Sequence, residues 1–127
     1  MKLGYVILYV ADVPAAVSFY ERAFGLVRRF VHESNQFAEM ETGGTALAFA
    51  DETLVAGDLD FQPVRPGGLP PGIEVALVTE DVDAAVEQAV AVGAVLVKPP
   101  VRKPWGQTVA YVRDPHGFLV ELCTEVG

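Results

Sequence analysis

The chain is poor in the residues that most often announce a chemistry. It has one cysteine, Cys123, so no internal disulfide and no cysteine-based zinc site is available, and a reducing, cytoplasmic setting is the default expectation. It has only two histidines, His32 and His116, far apart in sequence. Basic residues are outnumbered, 9 against 17 acidic, for a net charge of −8. Phosphate backbones are repelled at long range by such a charge, which argues against nucleic acid as a partner and in favour of a cationic small molecule. No apolar run approaches the roughly 20 residues that span a bilayer, so no membrane partner is expected. The opening MKLGYVILYVADV has one Lys before a short apolar run, then Asp12 and no small-residue cleavage site, and reads as a strand rather than a signal peptide.

What the chain does have is length and apolar content enough for a packed core: 127 residues, half of them hydrophobic. It also has an internal repeat. YVILYVADVPAAV (Tyr5–Val17) aligns with EVALVTEDVDAAV (Glu74–Val86), with Val6/Val75, Leu8/Leu77, Asp12/Asp81, Val13/Val82, Ala15/Ala84, Ala16/Ala85 and Val17/Val86 identical. Each copy starts with strand-like alternation and turns helical beyond the aspartate. Asp12 and Asp81 fit helix N-caps, and Pro14 and Asp83 suit a first turn. The pattern predicts helices over Val13–Phe24, closed by Gly25, and Val82–Val92, closed by Gly93.

Three strand-like runs follow each helix: Val27–Glu33, Phe37–Glu41 and Thr45–Ala50, then Val95–Val101, Gln107–Arg113 and Phe118–Thr124. Turns are expected at Ser34-Asn35, Gly43-Gly44, Lys103–Gly106 and Asp114–Gly117. The order is βαβββ twice within a single domain: module one over 1–50, a Pro- and Gly-rich linker over 51–72 with little regular structure, and module two over 73–127.

The strand ending in VxD before an apolar helix with Phe19-Tyr20, the Phe24-Gly25-Leu26 close, the mid-chain VALVTEDVDAA and the terminal WGQ…YVRDPHGFLVEL together resemble the vicinal oxygen chelate superfamily. That group includes glyoxalase I, fosfomycin resistance enzymes, extradiol dioxygenases, methylmalonyl-CoA epimerase and bleomycin resistance proteins. The resemblance covers nearly the whole chain outside the linker. It implies an α+β fold in which two βαβββ modules form curved mixed sheets around a ligand cup. It does not by itself identify a reaction, since one scaffold hosts many.

If the cup is kept, alternation turns Val6, Leu8, Val75 and Leu77 to the helices. Tyr5, Ile7 and Tyr9, and Glu74, Ala76 and Val78, then face the cup, with Glu121 on the same face of the last strand as Leu119 and Cys123. Metal-using relatives hold a divalent ion at positions that fall here on Tyr5, Glu74 and Glu121, and some use a fourth that falls on Ala48. Only Glu121 keeps the usual residue type, and alanine cannot coordinate. The resemblance therefore implies no cofactor; the alternative is one divalent metal ion held by Glu121 and Glu74. Neither histidine falls on a ligand position.

The expected ligand-binding set is Tyr5, Ile7, Tyr9, Phe37, Ala48, Glu74, Ala76, Trp105, Tyr111 and Glu121, with Glu121 and Glu74 the candidate catalytic pair. Two carboxylates in an apolar cup raise one another's pKa, and aromatic faces attract cations. The plainer alternative is that Glu121 is satisfied by Tyr5, by a backbone donor or by Arg113. The function expected is metal-independent binding of an aromatic or cationic compound, by a homodimer as in the bleomycin resistance branch. The alternative is a metal-dependent or acid/base lyase, epimerase or dioxygenase of glyoxalase type.

Overall fold

The computed structural model describes residues 1–126. It contains two compact units, Met1–Val64 and one beginning at Arg65. In the first unit β1 (Tyr5–Val10) leads into α1 (Val13–Phe24), followed by β2 (Val27–Val31), β3 (Phe37–Glu41) and β4 (Ala46–Asp51). The second repeats this with β5 (Glu74–Val78), α2 (Val82–Ala91), β6 (Val95–Arg102), β7 (Thr108–Arg113) and β8 (Leu119–Cys123). The sheet orders are β1-β4-β3-β2 and β5-β8-β7-β6. First and last strands run parallel and all other pairs antiparallel. The expected pair of βαβββ modules is thus present.

Both aspartates cap their helices. The Asp12 carboxylate accepts from the Ala15 N–H at 3.0 Å and Asp81 from the Ala84 N–H at 3.0 Å. The α1 helix closes on Gly25 in the left-handed region (φ 68°), whose N–H reaches Glu21 O while Leu26 N–H reaches Tyr20 O. The apolar face of α1 buries Val13, Ala16, Val17, Phe19, Tyr20 and Ala23 over Leu8, Val10, Ala38, Met40, Leu47 and Phe49, all buried. Tyr20 centres an aromatic cluster, 5.0 Å from the Phe49 ring and 5.2 Å from Phe24, contacts worth about 0.5–1.5 kcal/mol each beyond area burial. The second unit packs Val82, Val86 and Ala89 of α2 with buried Ala110, Val112, Val120 and Leu122.

Five strands differ by one or two residues at their ends from the sequence expectation: β2, β4, β6, β7 and β8. β2 stops at Val31 because His32 opens a turn, with Asn35 N–H bonded to His32 O and Asn35 at φ 60°. β6 runs on to Arg102 through Pro99-Pro100. It lies at a sheet edge with register shifts around Lys98 and Val101, where the missing proline N–H groups cost no ladder bond. Residues 52–58 form successive turns and 59–73 contain no strand or helix. Among the described residues no helix is long and apolar enough to cross a membrane.

Phe49 is wholly buried, so Phe49→Ala is expected to cost about 3–5 kcal/mol in urea unfolding. Asp81→Ala removes only a cap, for about 1 kcal/mol.

Candidate functional site

In the second unit, alternation and cross-strand register place the acidic pair. On β5, Glu74, Ala76 and Val78 are more exposed than their alternates Val75 and Leu77. Parallel pairing sets Ala76 beside Glu121 and Glu74 beside Leu119, and antiparallel pairing sets Tyr111 on the other side of Glu121. Tyr111 donates its hydroxyl to Glu121 Oε1 at 3.1 Å. Of the donors the sequence offered to Glu121, Arg113 turns instead to main-chain carbonyls. Glu74 and Glu121 share one face of the sheet, diagonal to each other across the β5–β8 pairing, close enough for the charge of one to act on the other.

The electrostatics follow from this geometry. Partial burial pushes the Glu74 carboxyl above the usual carboxylate range, and the charge of Glu121 pushes the same way. The residue remains exposed overall, so solvent screens much of the effect. Burial first, then the hydrogen bond to Glu121 and the charges around it, raise the Tyr111 phenol. Cys123, next on the same face of β8, is pushed up to about 11 by burial and by Glu121. Its thiol points to Leu77 O at 3.8 Å and stays protonated, a small buried group rather than a nucleophile.

Trp105, 57% exposed, sits in the turn before β7. Its indole N–H donates to Gln107 Oε1 at 2.9 Å, and Gln107 Nε2 donates to Thr124 O at 3.0 Å. The turn is thus tied to the end of β8. Its exposed ring is a surface suited to stacking.

The remaining expected residues belong to the first unit. Tyr5 and Ile7 are exposed, and Tyr9 is half-buried with its ring 4.7 Å from Phe61. Phe37 pairs with Ala50 in register and lies 6.0 Å from the Phe30 ring. Ala48, between Ile7 and Glu39 in the ladder, is wholly buried. His32 bonds Ser34 within the β2–β3 turn at 2.8 Å, and His116 lies in the β7–β8 turn.

One group was missed. Glu39, 8% exposed, stands beside Ala48 and takes a hydrogen bond from Arg29 Nη1 at 3.2 Å, while Arg29 Nη2 reaches Glu41 at 2.8 Å. The alternation of FAEME was the available signal, since it puts Phe37, Glu39 and Glu41 on one face.

The donor set does not fit a divalent-metal site of the expected kind. Ala48 carries no donor, and among the described residues no three His, Cys, Asp or Glu side chains gather where an ion could sit. The Tyr111 phenol beside Glu121 is pushed up, which makes it a poor ligand for hard ions.

Comparison with known proteins agrees with the fold. The family model described as Glyoxalase/Bleomycin resistance protein/Dioxygenase superfamily matches residues 2–122. An uncharacterized protein of Mycobacterium bovis is 28% identical over 119 residues, 87% of this chain and 74% of its own length. YraH of Bacillus subtilis, also uncharacterized, is 27% identical over 124 residues, 96% of this chain and 97% of its own. A glyoxalase-related enzyme from Fulvimarina pelagi superposes with a TM-score of 0.81 at 24% identity, covering 98% of this chain and 88% of that one. TioX from Micromonospora sp. ML1 does so at 0.73 and 25% identity, covering 99% and 100%.

Because the folded state raises the Glu74 pKa, the protonated form is favoured on folding. Stability from this group is full below the ordinary carboxylate pKa and is lost as pH rises through the elevated folded value. Glu74→Gln is therefore expected to raise Tm by a few degrees near neutral pH and to leave it unchanged at about pH 4, read by calorimetry at the two pH values.

Proposed function

The chain belongs to the Glyoxalase/Bleomycin resistance protein/Dioxygenase superfamily, and within it we propose a small-molecule binding protein that holds an aromatic or cationic compound without a metal ion. The observation that carries the reading is the Glu74–Glu121 pair, two carboxyl groups on one sheet face, diagonal across the β5–β8 pairing, with Ala76, Val78 and Leu119 beside them. A pair of this kind is satisfied either by a shared proton or by a cation. An organic ammonium replaces the proton, takes the hydrogen bonds of both carboxylates and buries its apolar body along the strand. Tyr111 holds Glu121 from the side and Trp105 offers a ring to a flat ligand. The net charge of −8 draws cations toward the protein.

A second reading has its own support. Two neighbouring carboxyl groups, one of them pushed upward in pKa, next to a phenol are also the arrangement of a general acid/base pair, as a lyase or epimerase of glyoxalase type needs. Turnover of a 2-oxoaldehyde–thiol adduct, abolished by Glu74→Gln, would establish that reading in place of the first.

We also propose that the protein works as a homodimer. β1 and β5 are edge strands with no proline and with Tyr5, Ile7 and Val78 exposed. β6, by contrast, carries prolines that blunt its edge. Open apolar edges of this kind invite cover by a second copy, and sedimentation equilibrium is expected to give about twice 13.6 kDa; a monomer at micromolar concentration contradicts it.

Proflavine, a planar aromatic cation, serves as the binding probe. Saturable quenching of Trp105 fluorescence is expected in the presence of chelator. Glu121→Gln is expected to weaken it at least about tenfold, a loss of about 1.4 kcal/mol. Equal affinity in the variant contradicts the proposal.

A further inference from the structure

Glu74 poses a mechanical problem. It is the first residue of β5, an edge strand paired on one side only, and it faces the like charge of Glu121. Strand ends of this sort fray, and repulsion favours a carboxylate turned out to solvent.

The chain just before β5 is held unusually firmly. The guanidinium of Arg113, at the end of β7, donates from Nε to Gly117 O at 2.8 Å, from Nη1 to Gly68 O at 2.6 Å and from Nη2 to Arg65 O at 3.0 Å. One planar fork thus binds the β7–β8 turn and two carbonyls of the segment leading to β5. The same segment crosses Gly117 with no room to spare. A Cβ at Gly117, which sits at φ +104°, would stand 2.4 Å from Arg65 O and 2.9 Å from Pro66 N. Only Leu69, Pro70, Pro71, Gly72 and Ile73 separate Gly68 from Glu74, and the two prolines stiffen that arm.

We infer that Arg113 is a positioning residue: by strapping Arg65–Gly68 to the turn at Gly117 it fixes where the chain enters β5 and so holds the Glu74 carboxylate against Glu121. The inference rests on reading these two carboxylates as the ligand site. Arg113 touches neither of them. It works through the backbone.

A double-mutant cycle on the full chain tests this, with Tm measured at about pH 8 so that carboxylates are ionised. Glu74→Gln relieves the enforced repulsion and raises Tm in the wild-type background. With Arg113→Gln the strap is loose, Glu74 is free to swing out, and the same substitution is expected to raise Tm by less than half as much. An Arg113 that only supports the fold gives additive effects, and equal shifts in the two backgrounds overturn the inference, as does no shift in the wild type. Should Arg113→Gln fail to fold, Arg113→Lys, which keeps the charge without the fork, gives the same comparison and is expected to show the same loss of coupling; full coupling with Lys overturns the role of the fork. No ligand enters this measurement. Coupling without proflavine binding keeps the strap and removes the binding reading, whereas proflavine binding with additive stabilities removes the strap alone.

Discussion

The parallel pairing of first strand with last, β1 with β4 and β5 with β8, is the constraint from which the rest of each unit follows. Parallel neighbours cannot be joined by a tight turn. The chain must leave the first strand, cross by a helix and return through two antiparallel strands before the last can dock. The helix then covers one face of the sheet, leaving the other free of it. In the second unit this puts Glu74, near the beginning of the module, beside Glu121, near its end. Two carboxyl groups almost fifty residues apart come to one face of the sheet only because those two strands are neighbours.

Much of this was legible in the sequence. The repeated aspartates are seen to cap both helices, and the strand-to-helix change of period lies where the periodicity put it. Alternation along EVALV and LVELC predicted which side chains share the face away from the helix, since a period of two needs no knowledge of the partner strand. Asp114-Pro115-His116-Gly117 folds as a turn in which the Asp114 carboxylate accepts from the His116 and Phe118 N–H groups.

What was not legible depends on register between strands. Tyr111 is the partner of Glu121 because the β7–β8 pairing sets them opposite, and that alignment is fixed by turn geometry that side-chain alternation does not encode. Arg113 shares the face of Tyr111 by alternation and was a reasonable partner for Glu121. Its guanidinium goes instead to carbonyls of residues 65 and 68, a long-range contact that no local pattern announces. Burial of Glu39 beside Ala48 was hidden for a similar reason, because the cover comes from neighbouring strands rather than from its own.

We propose that Glu121, at the end of the second module, has Glu74 and Tyr111 rather than a metal ion as its partners. Elemental analysis of protein purified without chelator tests it most directly. No stoichiometric divalent ion is expected. One ion per chain, lost on Glu121→Ala, would contradict it.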